Sequence, residues 1–303
     1  MRRTRFRFGV ADLMLSGTTL LAGMNSAISK YVLSHGWSPP VYSTFRFFCV
    51  VWLFFGVARL REGRFLPERR DVRKVLVLGV VAGANQLVFV YALHLAPAAT
   101  VALIFGALPI FMGVGAQLMG IERMGRRFWL ASLVSLTGVG LVAFGGGGVA
   151  GSTLGVLLAF AASASWAAYS LLATPLMETY SAIRVNGFMM AVAWFPIAAV
   201  GIPQATHQTW SFGTLTWLGV GFAIVGPLFL SNIFFFAAIR RVGPSRAGLF
   251  INLQPFVGAV AAVILLGEAL GRWEIAGASL IAVAIVVERW KQPLPLPVAA
   301  PEE

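Results

Sequence analysis

The sequence predicts an all-α integral membrane protein of ten transmembrane helices arranged as two inverted five-helix repeats. Three observations lead there. The 303 residues are 58% hydrophobic and 11% charged, with mean hydropathy +0.83, more apolar surface than one soluble core can hide. The apolar residues fall into runs of roughly 20, the length that crosses about 30 Å of hydrocarbon. Finally, Pro109, Glu122, Gly125 and Arg126 recur as Pro255, Glu268, Gly271 and Arg272, each displaced by 146 positions.

Span 1 (11–34) follows Arg2, Arg3, Arg5 and Arg7 and carries Asp12 at its edge, Asn25 near its middle and Lys30 one turn from its end. Lys30 is expected to snorkel. An Arg-rich start before an apolar stretch resembles a secretory signal, but this stretch is long enough to span and its removal would spoil the inversion, so it is expected to be retained. Span 2 (41–58) holds Tyr42, Cys49 and Arg46, the last about two turns in, roughly 9 Å at 1.5 Å per residue. Span 3 (74–94) carries Asn85, Gln86 and Phe89. Span 4 (97–119) opens at Pro97, holds Phe105 and has Pro109 near its centre. Span 5 (127–145) closes the first repeat, 11–145, and Gly145–Gly148 reads as a flexible outer linker.

Span 6 (153–174) places Trp166 and Tyr169 in the bilayer, and span 7 (184–202) places Asn186 near its start. Span 8 (213–239) contains the pair Gly226, Pro227 and then Asn232. Span 9 (244–267) opens at Pro244 and carries Asn252, Gln254 and Pro255, and span 10 (273–290) completes the second repeat, 153–290. Pro293, Pro295, Pro297 and Pro301 make 291–303 an extended, disordered cytoplasmic tail.

Charge sets the orientation, because cationic loops resist translocation. With both termini inside, every Lys and Arg falls in a cytoplasmic segment except Lys30, Arg46 and the outer-loop Arg272. A net charge of +12 dispersed over several loops forms no groove, which excludes a nucleic-acid partner. The expected partners are a small-molecule substrate and the lipid of a cell inner membrane, with the chain a monomer. One cysteine allows no disulfide framework. His35, His94 and His207 stand apart from Cys and carboxylates, so neither a metal nor another cofactor is expected. No His, Asp or Ser constellation gathers near an interface, so the chain reads as no enzyme.

Five spans per half is an odd number, so the second half must enter the bilayer upside down. At the 146-residue offset Asn85 and Gln86 match Ser231 and Asn232, and Leu108 matches Gln254; at 144, Asn25 and Ser26 match Tyr169 and Ser170, and Tyr42 matches Asn186. An unpaired amide in hydrocarbon costs on the order of a few kcal/mol. Asn25, Asn85, Gln86, Asn232, Asn252 and Gln254 therefore face neighbouring helices as glue, or a wet cavity as its lining. Phe89, Tyr91, Phe105, Trp166, Tyr169, Phe229 and Phe250 would supply its apolar or aromatic wall, or simple packing, and Tyr42 is expected at the site by its match to Asn186. Arg46 either faces that cavity and attracts a carboxylate or reaches the outer headgroups. Pro109, Pro255 and the Gly226, Pro227 pair are hinge candidates, because proline frees backbone carbonyls, although both residues are common in membrane helices. No Asp or Glu lies mid-span, which disfavours proton coupling.

The segments LAPAATVALIFGALPIFMGVGAQLMGIERMGRR and RVGPSRAGLFINLQPFVGAVAAVILLGEALGRW resemble those that end each repeat in the drug/metabolite transporter superfamily, in its EamA-like ten-helix carriers. Pro97, Pro244, Trp166 and Arg46 in TFRFF fit the same pattern, and the resemblance runs from about residue 11 to 290. Span 1 departs from it, with Ala22–Asn25 where Trp-Gly is common. Within the superfamily the chain most resembles the aromatic amino acid exporters. The resemblance implies export of amino acids, aromatic or otherwise neutral, or of related metabolites by alternating access; the alternative is a multidrug, cationic-compound or other metabolite exporter of the same fold.

Overall fold

A computed structural model describes residues 9–63, 66–120, 125–144, 152–242 and 253–289. Helix α1 (Val10–Ser34) starts where the Asp12 carboxylate accepts the Gly9 N–H at 2.9 Å. Helix α2 (Pro39–Glu62) begins on two prolines, whose missing N–H groups are unneeded in a first turn, and stops at Gly63, whose φ of 67° suits glycine. Helix α3 is Val72–Leu95. The fourth span is α4 (Ala98–Ile104), a 3₁₀ turn at Phe105–Ala107, and α5 (Leu108–Leu118); α6 (Arg126–Phe144) is the fifth.

Two serine caps start the second half. Ser152 Oγ accepts from Gly155 N–H at the head of α7 (Thr153–Met177), and Ser181 Oγ from Arg184 N–H at the head of α8 (Ala182–Ala205). The eighth span is α9 (Thr214–Ala223), a π-helical stretch at Ile224–Ser231, and α10 (Asn232–Val242). Helices α11 (Gln254–Leu266) and α12 (Arg272–Arg289) follow, with α11 closed by Gly267 at φ 66°. The glycine linker, Asn252 and the proline-rich tail lie outside the described residues.

Six spans are long and apolar enough to cross a membrane on length and composition alone; α6 and α11 present shorter apolar stretches. Packing joins all ten into one body with a pseudo-two-fold pattern. The first span packs on the ninth as the sixth packs on the fourth. It packs on the eighth as the sixth packs on the third, while the second pairs with the seventh and the fifth with the tenth. Gly138 and Gly277 make the last pairing reciprocal, since a Cβ on either would run into the carbonyl oxygen of the other.

The connections divide between two faces, called outer and inner after the orientation expected from the charges. On the outer one Ser38 N–H donates to Gln208, Gln208 donates to Gly36 O, Ser152 N–H donates to Leu95 O, and Glu268 meets the start of α4. On the inner one Ser181 donates to Glu62, Arg184 donates to Leu66 O, and Tyr180 donates to Asp71 at 2.9 Å. Burial and the Asp71 carboxylate push the Tyr180 hydroxyl above the ordinary phenol range, so it remains a donor at neutral pH. The end of α11 therefore lies opposite the end of α5, as inversion demands. Arg59, Arg61, Arg69, Arg70, Arg73, Lys74, Arg126 and Arg184 mark the inner face.

Candidate functional site

A cavity of about 150 Å³ opens between the first, third, fourth, sixth, eighth and ninth spans. Of the residues expected at a site, it brings together Asn25, Asn85, Gln86, Phe89, Phe105, Trp166, Tyr169, Asn232 and Gln254, with Pro227 and Pro255 also in its wall. Phe105 bridges Phe89 and Trp166, with both ring centroids 5.8 Å away, so one wall is a continuous aromatic surface. Thr18 and Phe235 extend the cavity toward the ends at which α1 starts and α10 finishes, that is, toward the inner face.

Tyr42 is fully buried and stands behind this wall, its hydroxyl 3.0 Å from Ser29 Oγ and its ring 4.1 Å from the Arg46 guanidinium carbon. Asn252 lies outside the described residues. Arg46 does not reach a headgroup. It is completely enclosed, with Nη1 donating to Asn25 Oδ1 at 3.3 Å and lying 3.5 Å from Ser29 Oγ. Lys30, expected to snorkel, instead donates to the carbonyls of Leu93 at 2.7 Å and Ala96 at 3.0 Å, closing the C-terminal end of α3.

Four of the five wall amides are oriented by hydrogen bonds. Asn85 Nδ2 donates to Ala162 O at 2.6 Å and to Ser165 Oγ at 3.0 Å. Gln86 Nε2 donates to Ser43 Oγ at 3.2 Å. Asn232 Nδ2 donates to Pro227 O and Leu228 O, both at 3.0 Å, taking up carbonyls left free where the helix widens around Pro227. Asn25 is the opposite case, because its carbonyl is the occupied end.

Gly226 lies beside Pro227 in the π-helical stretch and packs against Leu21 and Phe222. Pro109 and Pro255 are each the second residue of a helical segment, α5 and α11, where proline costs no hydrogen bond. The break in the fourth span accordingly falls just before Pro109, in the 3₁₀ turn. Thr18, Ser26 and Ser231 also line the cavity. Small hydroxyls in apolar helices give little sequence signal because they bond to their own backbone, as Thr18 does to Met14 O at 3.0 Å. Among the described residues no three His, Cys, Asp or Glu side chains gather as a metal site.

The Glu268 carboxylate accepts the N–H groups of Ala98 and Ala99, both at 2.9 Å, tying the end of the ninth span to the start of the fourth. Nearby, Trp37 stacks on Phe212 at 4.8 Å and meets Trp210 and Trp217 edge-on at 5.4 and 5.5 Å.

Similarity to known proteins agrees with this architecture. The chain resembles the uncharacterized transporter YyaM of Bacillus subtilis (strain 168), 24% identical over 289 residues that cover 90% of this chain and 92% of the relative. It resembles the uncharacterized transporter YvbV of the same organism, 25% identical over 296 residues, at 92% and 91% coverage. A solved structure described only as "Crystal structure of protein" shares the fold, with TM-score 0.66 and 21% identity over 92% of this chain and 96% of that one. The EamA-like transporter family matches twice, at residues 9–144 and 153–288, one copy on each five-helix half. With that pattern covering nearly the whole chain, this protein belongs to the EamA-like transporter family.

Proposed function

We propose that the protein exports amino acids, aromatic or otherwise neutral, or closely related metabolites across the cell inner membrane by alternating access. The carrying observation is the composition of the cavity: five amides from both halves and the continuous wall Phe89, Phe105, Trp166 suit a small amphipathic solute better than an inorganic ion. With the basic face cytoplasmic, both termini are inside and the observed form faces inward, its outer side held by Glu268 and the Trp37 cluster. Export then requires the two repeats, 11–145 and 153–290, to rock about the cavity until Glu268 releases α4. The hinge residues would be Pro109, Gly226, Pro227 and Pro255.

Transport without ion coupling follows from the polar groups in the wall. These are amides and hydroxyls, and none of the described cavity residues is an acid or a histidine that could relay protons. Counterflow of radiolabelled aromatic amino acids into proteoliposomes tests the reading. Exchange above empty vesicles, unchanged by an imposed pH gradient, supports it; no exchange removes the amino acid cargo, and acceleration by the gradient removes uniport.

A further inference from the structure

Arg46 is completely enclosed about two turns into the second span, and no ion pair engages it among the described residues. Its Nε and Nη2 also find no protein partner there. Enclosing a charge within an apolar span is costly. Structure alone does not call for it, because an apolar side chain would pack α2 without that cost. What the guanidinium does accomplish is visible at Asn25. The Asn25 carbonyl oxygen receives Arg46 Nη1 at 3.3 Å and the Ser29 hydroxyl at 3.2 Å, and Tyr42 completes the chain behind Ser29 at 3.0 Å.

Because a guanidinium can only donate, it fixes which end of the Asn25 amide is turned to it. The NH₂ end has no protein acceptor among the described residues and belongs to the cavity wall. Elsewhere in the wall the reverse holds. Asn85 and Asn232 spend their NH₂ groups on backbone carbonyls, which can only accept, and Gln86 donates to a Ser43 hydroxyl already engaged as donor to Pro39 O. Those three residues are left with carbonyl oxygens.

We propose that Arg46 makes the cavity bipolar. It acts as a positioning residue that holds Asn25 as a positively biased donor for a solute carboxylate, while Asn85, Gln86 and Asn232 accept from the solute's ammonium or N–H. This deepens the amino acid reading and rests on it for the location of the site. The substrate class it assigns is a compact molecule carrying both a carboxylate and an N–H donor; esters and simple amines fit only the acceptor pole.

The test uses purified full-length protein and ligand-induced thermal stabilisation with four matched probes: L-phenylalanine, 3-phenylpropionate, L-phenylalanine methyl ester and 2-phenylethylamine. The wild type should favour L-phenylalanine over its methyl ester by roughly tenfold or more, the worth of one charge-assisted hydrogen bond, and should bind it more tightly than either single-pole probe. Asn25→Asp keeps the volume and the Arg46 and Ser29 contacts but turns the donor into an acceptor. It should lower carboxylate affinity by on the order of tenfold to a hundredfold and leave ester and amine affinity equal or higher. Arg46→Gln, which preserves a neutral donor to Asn25, should shift the carboxylate-to-ester ratio in the same direction by less. A packing role would weaken all four probes alike, and if Arg46→Gln does not fold, Asn25→Asp decides alone. A wild type with no carboxylate preference, or an Asn25→Asp variant with an unchanged ratio, overturns the proposal. The two readings fail separately. If phenylpropionate binds, phenylalanine does not, and Asn25→Asp reverses the preference, the amino acid cargo is lost and the donor pole stands. If phenylalanine and its ester bind equally, the pole is lost and the cargo stands.

Discussion

Gly138 in α6 and Gly277 in α12 offer a quantitative test of the packing between the halves. A Cβ on Gly138 would stand 2.6 Å from Gly277 O and 3.0 Å from Leu280 Cβ; one on Gly277 would meet Gly138 O and lie 2.6 Å from Val142 Cγ2. Ordinary contact begins near 3.4 Å, so alanine at Gly138 forces a separation of roughly 0.8 Å, and a backbone carbonyl cannot rotate out of the way. Overpacking of this kind costs about 1–3 kcal/mol, or roughly 2–4 °C of melting temperature per kcal/mol. One separation relieves both clashes, so the double variant should lose clearly less than the sum of the single losses. Gly140→Ala is the control, since its Cβ would meet nothing within 4 Å, and alanine there should be neutral or stabilising by up to about 1 kcal/mol. Thermal unfolding followed by size-exclusion fluorescence reads all four variants. Gly138→Ala or Gly277→Ala as stable as Gly140→Ala, or strict additivity in the double, would refute the reciprocal crossing.

Three further outcomes follow from the site. Glu268→Ala removes the acceptor for Ala98 and Ala99 N–H, a capping loss of about 1 kcal/mol; in a Cys49→Ser background it should speed labelling of Ser26→Cys from the outer side about fivefold, and an unchanged rate would deny Glu268 any part in closure. Trp166→Ala and Gln254→Ala should impair exchange while leaving membrane insertion intact, and normal kinetics in both would count against the cavity as the binding site. Pro109→Ala and Pro255→Ala should slow turnover with little change in apparent affinity; unaltered turnover would reduce both prolines to packing.

Much of the fold was legible because the bilayer imposes long apolar runs and the loops carry the charge. Pro39, Pro40 and Gly63 bound α2 more widely than hydropathy alone suggested, since helix ends continue into water. The cavity amides were legible for the same reason, as an amide in hydrocarbon must find a partner. What could not be read was which end of each amide is occupied, because Asn25 meets Arg46 from another helix and Asn85 meets Ala162 from the other half. Tyr42 illustrates the limit: an aromatic at the right depth, it sits outside the cavity wall with its hydroxyl on Ser29 of α1, a contact between helices that the sequence does not carry. The Glu268 cap on α4 was equally hidden, since the repeat marks the residue and not its cross-repeat acceptor role.

The central claim, two homologous halves lying upside down to one another around a shared cavity, is tested most directly by sidedness. In the Cys49→Ser background, single cysteines replace Met119 after α5 and Ala269 after α11, both exposed, and intact cells are treated with a membrane-impermeant thiol reagent. Ala269→Cys should react from outside and Met119→Cys only after the membrane is opened. Equal reactivity of the two from one side would contradict the inversion, and with it the cavity built upon it.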